Sequence, residues 1–548
     1  MLFLLACSRP VDTGEPENTE IIAAVELVEE GVTTCAAPGD RETEGILWSP
    51  DMSGAWEGEL PEGYEQTTRT SPGMAVADID GDGGWELIFS NKTPSFIFTF
   101  DELGDPVDVT DVLGLPREDS GAWGASTVDL DDDGDVDVYM QCRGQPDRLY
   151  VNEDGALVES ADEVFDEVLD WGASGSAWGD MDGDGDLDLF IGTTDGPGGQ
   201  SYAIPMEGPP NFIYENRGDE GLVLRPDLLP HQATYSYSFG AAWIDLDLDG
   251  DMDLYQINDH GDAAYGNRVL MNRSEEGSLD FDDIGESGPW FRASAMGLGI
   301  GDLNGDDVPD LFMSDWGRMV LLESAGEGLW IDTTAARGFV VDPADGREVA
   351  WGADLADLDN DGDLDALSSF GVSYDAESRG REQLENQPDA LWLQDDDGSF
   401  VEVADSWDFT DRSDGRALAV VDLDDNGWLD IVKRRLELPP LLQYQRCGEA
   451  HWLKIRLAQE APNVNAIGAR VRIEAGGNEQ WRSLHAGGTS LGYGAPPELH
   501  FGLGDATTVD LVEVHWPDGA ISRVEDVTAD QRVWLAREGA RSVAGMPD

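Results

Sequence analysis

The chain has 548 residues, 40% of them hydrophobic and 18 of them Trp, enough for more than one packed core and against wholesale disorder. Its 114 acidic residues outnumber 32 basic ones, giving a formal net charge of −82. That charge argues against nucleic acid and anionic membrane surfaces as partners.

Only three lysines occur, Lys92, Lys433 and Lys454. Such scarcity fits a salty or mineral-rich exterior and fits a base-composition bias equally. The opening residues end in Leu4-Leu5-Ala6-Cys7, which resembles a bacterial lipobox, so residues 1–7 read as a signal remnant with Cys7 as the lipidation site. The apolar stretch is shorter than a complete secretory peptide requires. Residues 8–44 read as an acidic linker, and no other segment reaches the ~18 apolar residues of a membrane span. Cys35, Cys142 and Cys447 allow one disulfide and one free thiol, or no disulfide at all.

From Asp180 to Asp188 the chain reads DMDGDGDLD, with carboxylates at positions 1, 3, 5 and 9 and Gly185 at position 6. Alternate carboxylates around a sharp glycine turn make an oxygen cage for a hard cation, and Ca²⁺ takes roughly six to eight such ligands. The pattern recurs seven times between residues 45 and 447, its first aspartates spaced 51, 51, 65, 57, 55 and 65 residues apart. The expected ligands, four side chains and the carbonyl at position 7, are as follows in chain order. Loop one offers Asp78, Asp80, Asp82 and Glu86 with Gly84; loop two Asp129, Asp131, Asp133 and Asp137 with Asp135; loop three Asp180, Asp182, Asp184 and Asp188 with Asp186. Loop four offers Asp245, Asp247, Asp249 and Asp253 with Asp251; loop five Asp302, Asn304, Asp306 and Asp310 with Val308. Loop six offers Asp357, Asp359, Asp361 and Asp365 with Asp363; loop seven Asp422, Asp424, Asn426 and Asp430 with Trp428. Up to seven Ca²⁺ are expected, with loops five and seven the weakest, because Asp307 replaces the position-6 glycine and Asn304 and Asn426 replace carboxylates.

Apolar residues alternate after each loop, as in Leu187 and Leu189, which predicts a strand and not the helix of an EF-hand. A second hairpin pattern follows in several repeats, as at Arg148 to Ser160 and Ala390 to Val403. Four short strands per repeat, repeated radially, predict an all-β, seven-bladed β-propeller. The stretch from Leu47 to Pro72 is expected to complete the last blade. The inserts Thr193 to Pro210 and Gly371 to Pro388 read as surface loops. Trp123, Trp178, Phe239, Trp243 and Trp351, upstream of the loops, suit a core between blades better than a sugar-stacking channel.

From His451 the acidic loops stop and short alternating strands begin, at HWLKIRL, ARVRIEA, PELHFGLG and DLVEVHWPDG. Residues 448–540 therefore form a small β-sandwich-like domain, and 541–548 a tail. Four of six histidines fall there, His451, His485, His500 and His515, without transition-metal spacing.

The seven loops, each preceded five residues upstream by a glycine (Gly73, Gly124, Gly175, Gly240, Gly297, Gly352) or by Ala417, resemble the FG-GAP/VCBS repeats of integrin-α-like propellers. The segments AIGARVRIEAGG, LHFGLGDA and VEVHWPDG resemble an ASPIC/UnbV domain. Together they resemble the cartilage acidic protein family over residues 45 to 540. The resemblance implies an exported, calcium-binding surface protein and assigns no activity to the last domain.

No nucleophile elbow, metalloprotease helix or phosphate loop occurs in a suitable setting. The reading is a non-enzymatic, exported protein, a lipoprotein on the outer membrane or cell surface or else secreted, for adhesion or for recognising an extracellular polysaccharide or protein. The alternatives are a calcium-dependent propeller enzyme such as a polysaccharide lyase, and a structural surface-layer component.

Overall fold

The computed structural model describes residues 21–32, 47–48, 73–540 and 546, leaving out 92–93, 102–103, 118–120, 198–199, 202–206, 262–264, 275–277, 286–291, 326–329, 342–346, 373–385, 437, 488 and 490–492. Cys7, Cys35, Lys92 and most of the insert Gly371 to Pro388 and of the tail lie outside these residues.

Each acidic loop joins the first and second strands of an antiparallel sheet. In the first sheet Met74–Ala77 pairs with Glu86–Phe89, which pairs with Phe96–Phe100 and then Pro106–Asp108. The same four-strand order recurs around six further sheets. The seventh has only three strands of its own, and Leu47–Trp48 supplies the fourth by pairing with Tyr444 and Gln445.

First strands of neighbouring sheets lie side by side, and their apolar side chains merge into shared cores. Met74 and Val76 of the first sheet pack with Ala419, Val432 and Leu442 of the seventh, so the ring closes. Its wedges are buried aromatics. Trp178 sits edge-on to Tyr139 across two sheets, with centroids 5.8 Å apart. Trp123, Trp178, Phe239, Trp243 and Trp351 are all buried.

The upstream glycines are explained by this convergence. A Cβ on Gly175 would stand 2.5 Å from the carbonyl oxygen of Phe239, and one on Gly352 would stand 2.7 Å from that of Arg416. Glycine lets adjacent first strands approach where the sheets crowd toward the axis.

Residues after His451 form two further sheets, one ordered around Thr508–His515 and Arg470–Ala475, the other around His451–Ala458 and Gln531–Arg537. Their inner faces meet through Ile455, Val471, Phe501, Val512 and Val533, all essentially inaccessible. The acidic linker expected over 8–44 is interrupted here. Val25–Glu29 pairs antiparallel with Val533–Arg537, and Ile21–Ile22 runs parallel to Ala520–Ile521. Val25 and Leu27 turn partly inward while Glu26 and Glu29 stay exposed, a half-buried alternation that the surrounding acidity disguised. The insert after Thr193 also differs from a plain loop, since the second strand runs on to Gly196 and folds back on Gln200–Ser201.

The terminal sandwich is joined to the ring by strand pairing. Ala486–Gly487 adds to the first strand of the third sheet beside Ala177 and Trp178, and Tyr493–Gly494 adds to that of the first sheet beside Met74 and Ala75. Two short strands of the terminal region thus lie against first strands of the ring. The sandwich is a cap.

Candidate metal centres

Every loop is wound by the same hydrogen bonds. One oxygen of the first carboxylate accepts the N–H of position 6, as from Gly83 to Asp78, Gly134 to Asp129 and Gly362 to Asp357, each at 3.0 Å. The position-5 oxygen accepts the N–H of position 7, at 2.9 Å for Asp133, Asp184 and Asp361. Position 6 is left-handed throughout, and Asp307 adopts φ 70° where the other loops have glycine.

Position 4 is left-handed as well, through Gly81, Asp132, Gly183, Leu248, Gly305, Asn360 and Asp425. The signal was there to read: six of these seven residues are Gly, Asn or Asp, the types that tolerate this region.

Position 9 does more than face an ion. Asp188 accepts from the N–H of Met181 inside the loop and from that of Asn216 at the end of the third strand, both at 2.8 Å. Asp137, Asp253, Asp310, Asp365 and Asp430 repeat the arrangement. The acceptor therefore ties three backbone segments together. Sequence reasoning also missed the residue beside it. Asn152 donates to the Ile79 carbonyl of the preceding loop at 2.8 Å, and Asn272 donates to that of Met181 at 2.8 Å. Its trace is the Asn that recurs in YVN, YEN and LMN.

These loops gather carboxylates closely. One oxygen from each of Asp78, Asp80 and Glu86 lies within 4.8 Å of the others, as do those of Asp129, Asp131 and Asp137, and of Asp180, Asp182 and Asp188. In loops four and six the groups are Asp245, Asp247 and Asp249, and Asp357, Asp359 and Asp361. Several acidic groups are thus arranged to hold metal ions.

The donor set fits a divalent cation. Among the described residues, Asp78 Oδ1, Glu86 Oε1, Asp129 Oδ1, Asp247 Oδ1 and Asp357 Oδ1 are buried acceptors without a hydrogen-bond partner. Orphaned acceptors of this kind are costly unless something satisfies them. Burial pushes Asp129 and Asp357 up to about 8, and neighbouring loop carboxylates add to the rise. Two carboxylates 4 Å apart repel by about 4 kcal/mol at an effective dielectric near 20, so a cation would relieve both burdens.

Some loops also meet basic side chains. Arg273 reaches Asp247 at 3.0 Å and Asp249 at 3.3 Å in loop four. In loop seven the buried ammonium of Lys454, from the cap, lies 2.7 Å from Asp422 Oδ2.

The cap touches the remaining loops in turn. Its Asn463 N–H donates to Asp132 at 2.7 Å, Pro462 packs on Gly185, and Gly502 N–H donates to Asp357 at 3.0 Å. Arg470 donates to the Asp307 carbonyl, and Gly468 packs against Met252. The Arg456 guanidinium lies 4.2 Å from the Trp85 ring centroid. All seven loops therefore have a partner in the cap, while most side chains at positions 3 and 5 stay exposed along the rim.

Two family models match the chain, FG-GAP-like repeat over residues 129–191 and ASPIC and UnbV over residues 459–542. The two matches fall in different regions of the chain, one in the ring and one in the cap. It is similar to cartilage acidic protein 1 of Xenopus tropicalis, 23% identical over 84% of this chain and 73% of the relative. It is likewise similar to that of Homo sapiens, 22% identical over 84% and 71%. Among solved structures it is similar to an Agrocybe aegerita lectin, titled for recognition of non-reducing terminal N-acetylglucosamine, at 15% identity and TM-score 0.42, covering 64% of this chain and 84% of that one. Rhamnogalacturonan lyase YesW is similar at 13% identity and TM-score 0.36, covering 77% and 76%. The ASPIC/UnbV region corresponds to most of the cap, and the matched FG-GAP-like repeat spans loops two and three.

Cys142 is buried, its thiol donating to the Met140 carbonyl at 3.5 Å, and Cys447 is disulfide-bonded. Among the described residues no helix is long and apolar enough to cross a membrane.

Proposed function

We propose that the chain is an exported calcium-binding propeller protein that recognises an extracellular polysaccharide or protein without turning it over. The observation that carries this reading is the set of orphaned, buried carboxylate oxygens in loops one, two, four and six. Side chains at positions 1, 3 and 5 would supply most ligands, with position 9 completing the cage where its second lone pair reaches inward. Calcium there would hold first and second strands together, the role of a structural staple. The metal chemistry suits a compartment with calcium in the roughly 10⁻⁴–10⁻³ M range typical of extracellular modules, and the disulfide at Cys447 suits an oxidising one. The relatives' name, cartilage acidic protein, describes no enzyme. A lipid anchor at Cys7 belongs to the same proposal.

The test is a calcium count by atomic emission on the dialysed chain, paired with thermal unfolding before and after chelation. A ligand bound by the native state alone stabilises by mass action, by about 2.7 kcal/mol per site at a hundredfold excess over Kd. Several ions per chain and a melting temperature that falls by more than ten degrees on chelation are expected. An unchanged melt would overturn the reading.

A further inference from the structure

In loop seven the cap brings a cation of its own against the first carboxylate. The Lys454 ammonium, with no exposed surface, reaches Asp422 Oδ2 at 2.7 Å and also pairs with Asp425 at position 4. Arg532, likewise from the cap, pairs with Asp425 at 2.7 Å. Around these ion pairs the fit is close. Trp452 lies so near Gly427 that a Cβ there would clash with the indole, and His500 Nε2 lies 3.1 Å from the Gly427 carbonyl.

A buried ammonium needs compensating carboxylates, and Lys454 has two at contact distance with Glu498 Oε1 a third at 3.9 Å. The carboxylate is equally satisfied. In loops one, two and six the Oδ1 atoms of Asp78, Asp129 and Asp357 are buried acceptors without a hydrogen-bond partner among the described residues. In loop seven both oxygens of Asp422 are engaged: Oδ1 accepts the Asn426 N–H at 2.9 Å, and Oδ2 accepts the Gly427 N–H at 2.7 Å besides the ammonium. Position 5 adds no charge, since Asn426 is neutral and its Oδ1 accepts the Trp428 N–H at 2.7 Å. The cage thus has three carboxylates where loop six has four, and one of the three already has its counter-charge.

The ammonium need not enter the cage to compete with a metal. A divalent ion on Asp422 would share that one carboxyl group with it, and like charges so close repel. Lys454 also has the advantage of attachment. It is carried by the strand His451–Ala458 of the same chain, so its local concentration does not fall with dilution or chelation.

We infer that loop seven is a joint between ring and cap, with Lys454 as its cation, and that it holds no calcium while the cap is seated. The inference rests on the calcium reading for the other loops alone. It gives one of the three lysines of the chain a task that calcium performs elsewhere, and it fastens cap to ring through a link that chelation cannot remove.

The experiment counts calcium by atomic emission on the full chain, dialysed at fixed free calcium. Asp359→Asn, at position 3 of loop six, should lose one ion per chain, whereas Asp424→Asn, at the same position of loop seven, should lose none. Lys454→Met should gain one. An ion lost from Asp424→Asn, or a folded Lys454→Met with the parent's count, overturns the proposal. A second measurement needs no metal: the chelated melts of Lys454→Met, Asp422→Asn and the double variant. Partnered groups should make the double variant lose at least about 3 degrees less than the sum of the single losses, and additive losses overturn the proposal. The cycle also separates the two readings. A parent chain without calcium sinks the loop reading, while the chelated melts still decide the part played by Lys454.

Discussion

At Leu248 the backbone is held at φ 60°, a conformation that costs an L-residue with a Cβ roughly 1–2 kcal/mol. The side chain is 37% exposed, so little packing offsets that cost. Leu248→Asn, matching the Asn360 found at the same place in loop six, is expected to stabilise the chain by about 1 kcal/mol in denaturant unfolding with calcium present. The carboxylates carry a second expectation. Glu86, Asp129, Asp310 and Asp357 are pushed up to about 8, chiefly by burial, whereas unfolded carboxyls titrate near 4. A folded value above the unfolded one means stability that is complete below pH ~4 and is lost as the pH rises through ~8. The chelated protein should accordingly melt at lower temperature at pH 8 than at pH 5. Calcium binds the deprotonated form, so the gap between loaded and chelated melts should widen over the same interval.

Within one sheet, positions 5 and 9 of a loop have different duties despite identical chemistry. Asp361 is exposed and accepts one N–H, a bond that Asn426 makes equally well in loop seven at 2.7 Å. Asp361→Asn should cost loop six its ion, read as one fewer calcium per chain, and leave the chelated melt unchanged. Asp365 accepts from Leu358 and Gln394, each at 2.9 Å, and is fully buried. Asp365→Asn points an amide at one of those donors and should destabilise loaded and chelated protein alike by about 1–3 kcal/mol. The acidic positions and the strand after each loop were legible because they are local: a ligand every second residue, then apolar alternation. The double duty of Asp365 was not, since its partner Gln394 lies 29 residues away. Strand Val25–Glu29 was hidden for another reason, its one apolar face being interleaved with the glutamates that made the region look like a linker.

At the scale of the whole molecule, sequence shows two domains side by side but not how they meet. The contact depends on two pieces only two residues long, Ala486–Gly487 and Tyr493–Gly494, too short for any periodic signal. The cap also depends on the beginning of the chain. Glu30 receives the indole N–H of Trp534 at 2.9 Å and the Arg532 guanidinium at 3.2 Å, beside the strand that covers the sheet edge. Deleting residues 1–30 should therefore lower the melting temperature and speed proteolysis within 449–540, whereas removing a true linker would change neither. The four cap histidines divide likewise: His451 and His515 pair with Asp530 and Glu513, while His485 and His500 face the ring.

The edge strand at Ile21 and Val25 also fixes a polarity. The beginning of the described chain is bound into the same sheets that close over the ring, so a pull on Ile21 would be borne by the cap before it reached the ring.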